Sequence, residues 1–362
     1  MSMMENGAMT MLLGAALLFI VGTILPLLNH DHWTVRLFDF PRLQLAVGGG
    51  LTLGGLAYVG PSSVVDYAAI LGLAAGLVYQ IDHILPYTPL ALLQVQPAET
   101  TARGERVSLL ICNVEVENRD ADPILELIEK NAPDLVLAVE TDEWWTECFG
   151  VLEETYPHVV KQPQDDAYGM LLCSKYPLRD AEVRFLVEDH VPSIHAQVEL
   201  PSETVFVHCM HPRPPHPTHD PDTTERDAEL LHLAREIQGR DAPTIVAGDL
   251  NDVSWSYTTR LFQRISGLLD PRIGRGIYST FHARYPLFRY PLDHAFHSTH
   301  FKLADLQILP YVGSDHFPVY VELQYEPEAP ADHAEPTADA ADEAQARQEF
   351  EKLHQKRAND DG

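Results

Sequence analysis

Residues 8–28, AMTMLLGAALLFIVGTILPLL, run for 21 residues without one charge. About 20 apolar residues in helical form are what a bilayer core of roughly 30 Å requires. The run is too long, and too poor in preceding Lys or Arg, for an ordinary cleaved signal peptide. Two more apolar runs follow at about 43–60 and 64–81, parted by the turn GPSS. Gly48, Gly49, Gly50, Gly54 and Gly55 in the second suit close helix contact in lipid. We therefore expect about three transmembrane helices within residues 1–92, in an integral (inner) cell-membrane protein that meets the lipid bilayer through them. A buried soluble hairpin is the alternative for the second and third runs, which lie near the lower length limit. Arg36, Arg42, Arg103 and Arg106 fall where the positive-inside rule favours a cytoplasmic C-terminal domain, but four charges do not decide the side.

After a linker at 93–105 the pattern changes. VSLLICNVE, DLVLAVE, YGMLLCS, VRFLV, IHAQVEL, TVFVHCM, TIVAGDLND, PLDHAFHS, FKLADLQIL and PVYVEL read as short strands. Helical stripes lie between them at about 122–131, 143–154, 224–238 and 256–266. This order over residues 106–325 predicts two packed sheets with helices outside, an α+β class. It lacks the GxGxxG of a dinucleotide fold. Residues 326–362 are rich in Ala, Glu, Asp and Pro, and predict an acidic disordered tail with at most a transient helix over 336–357.

A formal charge of −28 argues against tight nonspecific nucleic-acid binding, which depends on Lys and Arg. Cys112, Cys148, Cys173 and Cys209 sit in or beside apolar runs, with no CxxC spacing, and read as structural thiols.

Polar residues close the strands where packing alone would not place them. Asn113 ends SLLICN and Glu140 ends DLVLAVE. Asp249 and Asn251 end TIVAGDLN, Asp293 and His294 close PLDH, and Asp315 and His316 precede PVYVEL. Each alone suits a turn or a helix cap. Together they form a set of acids, amides and one imidazole suited to a magnesium-like cation and a phosphate. His208, His211, His216 and His219 crowd HCMHPRPPHPTHD, but prolines extend the loop and no Cys stands at zinc-site spacing. Arg213 there is a candidate phosphate contact. Arg272, Arg275, Arg284 and Arg289, with no acid in 271–292, form a basic stretch able to hold the rest of an anionic substrate.

The ordered stretches ICNVEVENRD, DLVLAVET, YGMLLCSKYPL, VHCMHPRPP, IVAGDLND, PLDHAF and GSDHFPV resemble the endonuclease/exonuclease/phosphatase superfamily, over about residues 106–325. With the opening spans and HPRPP, the chain is similar to a membrane-anchored bacterial branch. The resemblance implies a DNase I-like four-layer α/β/β/α sandwich and a Mg2+-dependent hydrolase, with Mn2+ as a possible substitute. It implies Glu140 as the main metal ligand, with Asn113 and Asp315 in the metal shell. Asp249 would orient or deprotonate water, and Asn251 would hold water or a phosphate oxygen. His316 would contact the phosphoryl group beside Asp293, and His211 would face the phosphate. The implied substrate is a phosphate ester of a nucleic acid, a lipid headgroup or a small molecule. The sequence carries GDLN where GDFN is commoner, and HCMHPRPP in place of a plain TH. A non-catalytic anchored module binding anionic ligands or a protein, and a zinc hydrolase using the His-rich loop, are the competing readings.

Overall fold

The computed structural model describes residues 3–28, 30–99, 104–215 and 221–360. The chain divides into two compact units, Met1–Ala91 with Pro215–Thr223, and Leu92–Pro214 with Thr224–Gly362.

In the first unit, α1 (Met3–Ile24), the short α2 (Trp33–Arg36), α3 (Arg42–Val59) and α4 (Val64–Ile84) follow in order. Met9, Ala16, Leu56 and Leu73 form its core. The expected close glycine packing is present. A Cβ on Gly48 would stand 2.3 Å from the Phe19 ring, and one on Gly55 would meet Leu12 at 2.7 Å. Two helical segments, Asn6–Leu28 and Val64–Tyr87, are long and apolar enough to cross a membrane, where three were expected. The middle helix has 18 residues and opens on Arg42, so at 1.5 Å per residue it extends about 27 Å. Arg42 is ion-paired to Asp39 at 2.7 Å and donates to Gln80 at 3.3 Å. Arg36 pairs with Asp31 at 3.4 Å. Both arginines are therefore neutralised, and they carry less weight for orientation than as free charges. Arg103 lies outside the described residues.

In the second unit, a six-stranded sheet has the order β10-β11-β1-β2-β4-β3 and a five-stranded sheet the order β5-β6-β7-β8-β9. The first is built from β1 (Glu105–Asn113), β2 (Leu135–Val139), β3 (His158–Gln162), β4 (Met170–Ser174), β10 (Phe301–Ile308) and β11 (Val319–Tyr325). The second is built from β5 (Leu178–Arg184), β6 (Ser193–Glu199), β7 (Thr204–Cys209), β8 (Thr244–Asp249) and β9 (Asp293–His297). Strand alternation sends Leu109, Ile111 and Leu137 into the space between the sheets, where they meet Ile194, Val207 and Ile245. Leu110, Cys112, Val136 and Ala138 face the other way, onto α5 (Asp122–Asn131) and α6 (Glu143–Phe149). Val246 and Phe296 pack outward on α7 (Thr224–Ile237) and α8 (Tyr257–Ser266). The result is the four-layer α/β/β/α sandwich. Both sheets are covered on both faces, which is why their central strands read as unbroken apolar runs.

Some expectations need correction. β3 was not foreseen in its half-buried HVVKQ, and the strand placed at VRFLV lies earlier, at β5. Residues 93–98 are not a free linker. Val95 is buried, and Ala98 N donates to Leu303 O at 2.8 Å. Cys112, Cys173 and Cys209 are buried free thiols and Cys148 is half-buried.

The acidic tail is not disordered. It forms α9 (Ala340–Asp360), which lays Ala346, Phe350 and Leu353 on one stripe against α7 and α8 within the second unit. Charge pairing completes the seat: Asp342 takes the Arg264 guanidinium through two 2.8 Å contacts, and Lys356 meets Glu225 at 2.7 Å. Deleting residues 336–362 should therefore destabilise the second unit by about 2 kcal/mol, a fall in Tm of about 4–8 °C. Thermal unfolding of the full and shortened chains measures this, and an unchanged Tm would show that the helix contributes nothing.

Candidate active site

Topology gathers the polar strand ends. β1 and β2 run parallel, so Asn113 and Glu140 leave the first sheet at the same edge. β11 runs antiparallel to β1, so its entry, preceded by His316, returns to that edge. In the second sheet β9 is antiparallel to β8, with Asp249 directly opposite Asp293. β7 is parallel to β8, so His211 emerges beside Asp249. Six of the expected site residues thus meet at one end of the sandwich.

Contacts across that end are short. The Asn113 Nδ2 donates to Glu140 Oε1 at 2.7 Å and to Asp249 Oδ2 at 3.1 Å, tying one sheet to the other. Its amide nitrogen faces these carboxylates, while its Oδ1 accepts the Glu115 N–H at 2.9 Å. Asp249 Oδ1 accepts the backbone N–H of Asn251 at 2.9 Å. His316 lies between two acids, with Nδ1 2.7 Å from Asp293 Oδ2 and Nε2 3.4 Å from Asp249 Oδ2. His211 Nε2 is 3.9 Å from Asp249 Oδ2. The Asn251 Nδ2 donates to Pro212 O at 3.0 Å and so fixes the loop that bears His211.

The backbone here is unusual. Glu140 (φ 62°), Asn251 (φ 51°) and Glu115 (φ 57°) occupy the left-handed region without being glycine, a strain of order 1–3 kcal/mol each that clusters at working sites. Gly248 is obligatory for a different reason: at φ 142°, a Cβ would stand 1.9 Å from Met210 O. The glycine of GDLN thus lets Asp249 approach the His211 loop. The opening turn of GSDH is present too, with Ser314 Oγ accepting His316 N–H at 3.0 Å.

Electrostatics follow from burial. Desolvation pushes the Glu140 carboxyl up to about 7, against the Asn113 hydrogen bond. Burial likewise raises Asp249 and Asp315, each opposed by the His316 charge. For His316 burial opposes the charge but is outweighed by Asp293 and Asp249, which hold it up at about 10. Burial lowers His211, which is neutral, and its Nδ1 has no hydrogen-bond partner among the described residues.

Four carboxyls therefore surround one imidazolium. The set fits a hard divalent cation: its donors are oxygens, and Asp293 Oδ1 is buried with no partner among the described residues. Ligand atoms of Asp249, Asp293 and His316 lie within 4.8 Å of one another. Both nitrogens of His316 already face carboxylates, which marks it as a cation among acids. Asp315 is half-buried beside the group, its carbonyl accepting Ala283 N–H at 2.7 Å.

The arginines behave differently from expectation. Arg213 is ion-paired with Glu188 at 2.9 Å. Arg272 is buried, paired with Asp270 at 2.8 Å and bonded to His294 Nδ1 at 2.6 Å and Asp293 O at 3.3 Å. Arg275 donates to the carbonyls of Pro271 and Val95, and Arg284 pairs with Glu115. The basic stretch is largely internal structure. His208 turns away to His195, Nδ1 to Nδ1 at 2.6 Å, while His216 and His219 lie outside the described residues.

Two residues escaped the sequence reading. Arg226, 2 % exposed, donates to Asn251 O at 2.8 Å and pairs with Asp227 and Asp252. Its place four residues before Leu230 on the apolar stripe was the available signal. Tyr168, whose ring centroid is 5.9 Å from that of His211, lies in a turn and offers no periodicity.

Residues 110–316, more than half of the chain, match the Endonuclease/Exonuclease/phosphatase family. Comparison with curated proteins gives no match. The structure of D. rerio TDP2 complexed with single-strand DNA product superposes with a TM-score of 0.50 at 16% identity, covering 60% of this chain and 99% of that one. The human Nocturnin catalytic domain with bound sulfate anion gives 0.50 at 17% identity, covering 61% and 95%. These likenesses show a shared fold. With its motifs at one end of a DNase I-like sandwich, the chain belongs to the Endonuclease/Exonuclease/phosphatase family.

Proposed function

We propose that this protein is a membrane-anchored, divalent-metal-dependent phosphoesterase that hydrolyses a phosphate ester by direct attack of water. The observation that carries the reading is His316 set between Asp293 and Asp249, opposite Glu140 and Asn113. The two helices long enough to cross a membrane support the anchor.

Glu140, steadied by Asn113 and with Asp315 near, would hold Mg2+ or Mn2+, which supplies Lewis-acid stabilisation of phosphoryl charge. Asp249, its Oδ1 fixed by Asn251 N–H, orients a water and accepts its proton at Oδ2. The water oxygen bonds to phosphorus while the ester oxygen leaves with the electron pair of the broken P–O bond. His316, charged through neutral pH, stabilises the developing phosphoryl charge, and Asp293 fixes its ring. Asn251 and neutral His211 line the phosphate side.

The full chain in detergent should hydrolyse bis(p-nitrophenyl) phosphate, lose this with EDTA and regain it with Mg2+ or Mn2+. A proton on Glu140 competes with metal below a pKa of about 7, so Mg2+ affinity should tighten about tenfold from pH 6 to pH 8. Metal-independent turnover would sink the reading.

A further inference from the structure

Residues 283–290, ARYPLFRY, form an arm whose base touches the site and whose tip is exposed. At the base, Thr280 and Phe281 N–H donate to Tyr290 O at 3.0 Å, and Ala283 N–H donates to Asp315 O at 2.7 Å. The Phe281 ring lies 5.0 Å from that of His316. Arg289 stacks on Phe317 at 4.9 Å and donates to Ala283 O, which stiffens the return of the arm. The tip is the short helical turn Pro286–Phe288. Tyr285 is 58%, Leu287 77% and Phe288 59% exposed, and Tyr311 beside the arm is 49% exposed.

Resting on the phosphoesterase reading, we propose that this tip enters the headgroup layer of a phospholipid bilayer, and that the substrate is the phosphate ester of a lipid headgroup. Adjacent large apolar side chains offered to water mark an interaction surface. Tyr, Leu and Phe between two arginines match the composition that seats in a membrane interface. The base of the arm abuts His316 and Asp315, so a bilayer met by the tip presents its phosphates beside the site. The chain also carries helices long and apolar enough to cross a membrane. Nucleic acid is the less favoured occupant: Arg284 is already paired with Glu115, and the chain's charge is −28. The reaction consumes one water, breaks one P–O ester bond and releases an alcohol and a phosphate.

The test uses the full chain reconstituted in vesicles of phosphatidylcholine, phosphatidylglycerol, phosphatidylinositol phosphate and sphingomyelin, with lipid products read by mass spectrometry. Parallel arms offer bis(p-nitrophenyl) phosphate and single-stranded DNA. The variant L287S/F288S should lose lipid hydrolysis about tenfold or more, from the apolar area withdrawn from the bilayer, while cleaving the small ester as the wild type does. Separately, the added emission of Phe288→Trp should be quenched by brominated phosphatidylcholine. The proposal is overturned by cleavage of the small ester without any lipid, by parallel losses on both, by a loss confined to DNA, or by an unquenched tryptophan. A wild type that cleaves nothing overturns the phosphoesterase reading and this inference with it.

Discussion

Asp249→Asn is expected to lower kcat by about 10³–10⁴ with KM little changed, because the amide keeps the shape of the side chain and loses the proton acceptor. Asp249 is 1% exposed and held on both oxygens, by Asn251 N–H at 2.9 Å and Asn113 Nδ2 at 3.1 Å. Its carboxylate sits in a desolvated place that raises its pKa. The charge therefore works against the fold at neutral pH, and the amide should leave Tm unchanged or higher. Lost activity with retained stability is the pattern of a group kept for chemistry. Stopped-time hydrolysis and a thermal melt on the same preparation measure both. A loss of less than about tenfold would remove Asp249 from the proton-transfer role.

Much of this site was legible because strand order and strand chemistry coincide. Asn113, Glu140, Asp249, Asp293 and His316 each interrupt or border an apolar run, and alternating parallel and antiparallel pairing returns them to one edge. Charge pairing over long sequence separations was not legible. Arg284 stands 169 residues from Glu115, and Arg213 is held by Glu188 from a separate loop. Local composition could not show that these arginines were already neutralised. The tail misled for a related reason. Ala346, Phe350 and Leu353 make too narrow a stripe to predict a packed helix, and the seat is completed by Arg264 and Lys356 meeting acids from distant segments. In the first unit, Arg42 at the head of α3 was readable in the sequence, yet its partners Asp39 and Gln80 were not.

Asp293→Asn should cost about 10²–10³ in kcat, and the loss should deepen as pH rises. In the wild type, burial of His316 is overcome by Asp293 and Asp249, so the ring stays charged until about pH 10. The substitution removes the 2.7 Å carboxylate partner at Nδ1 but leaves the burial. The ring then loses its proton at lower pH, and the basic limb of the rate profile moves towards neutrality. Stability carries the same sign. A histidine raised from 6.5 to about 10 by folding contributes fully below about pH 6.5, and that contribution disappears as pH climbs through 10. The Tm gap between wild type and variant should accordingly be widest near pH 6 and close towards pH 10. Because Asp293 acts through the ring, D293N/H316A should be no slower than H316A alone. Equal losses at every pH, or additive losses in the double variant, would separate Asp293 from His316 and leave the charged imidazole without its cause.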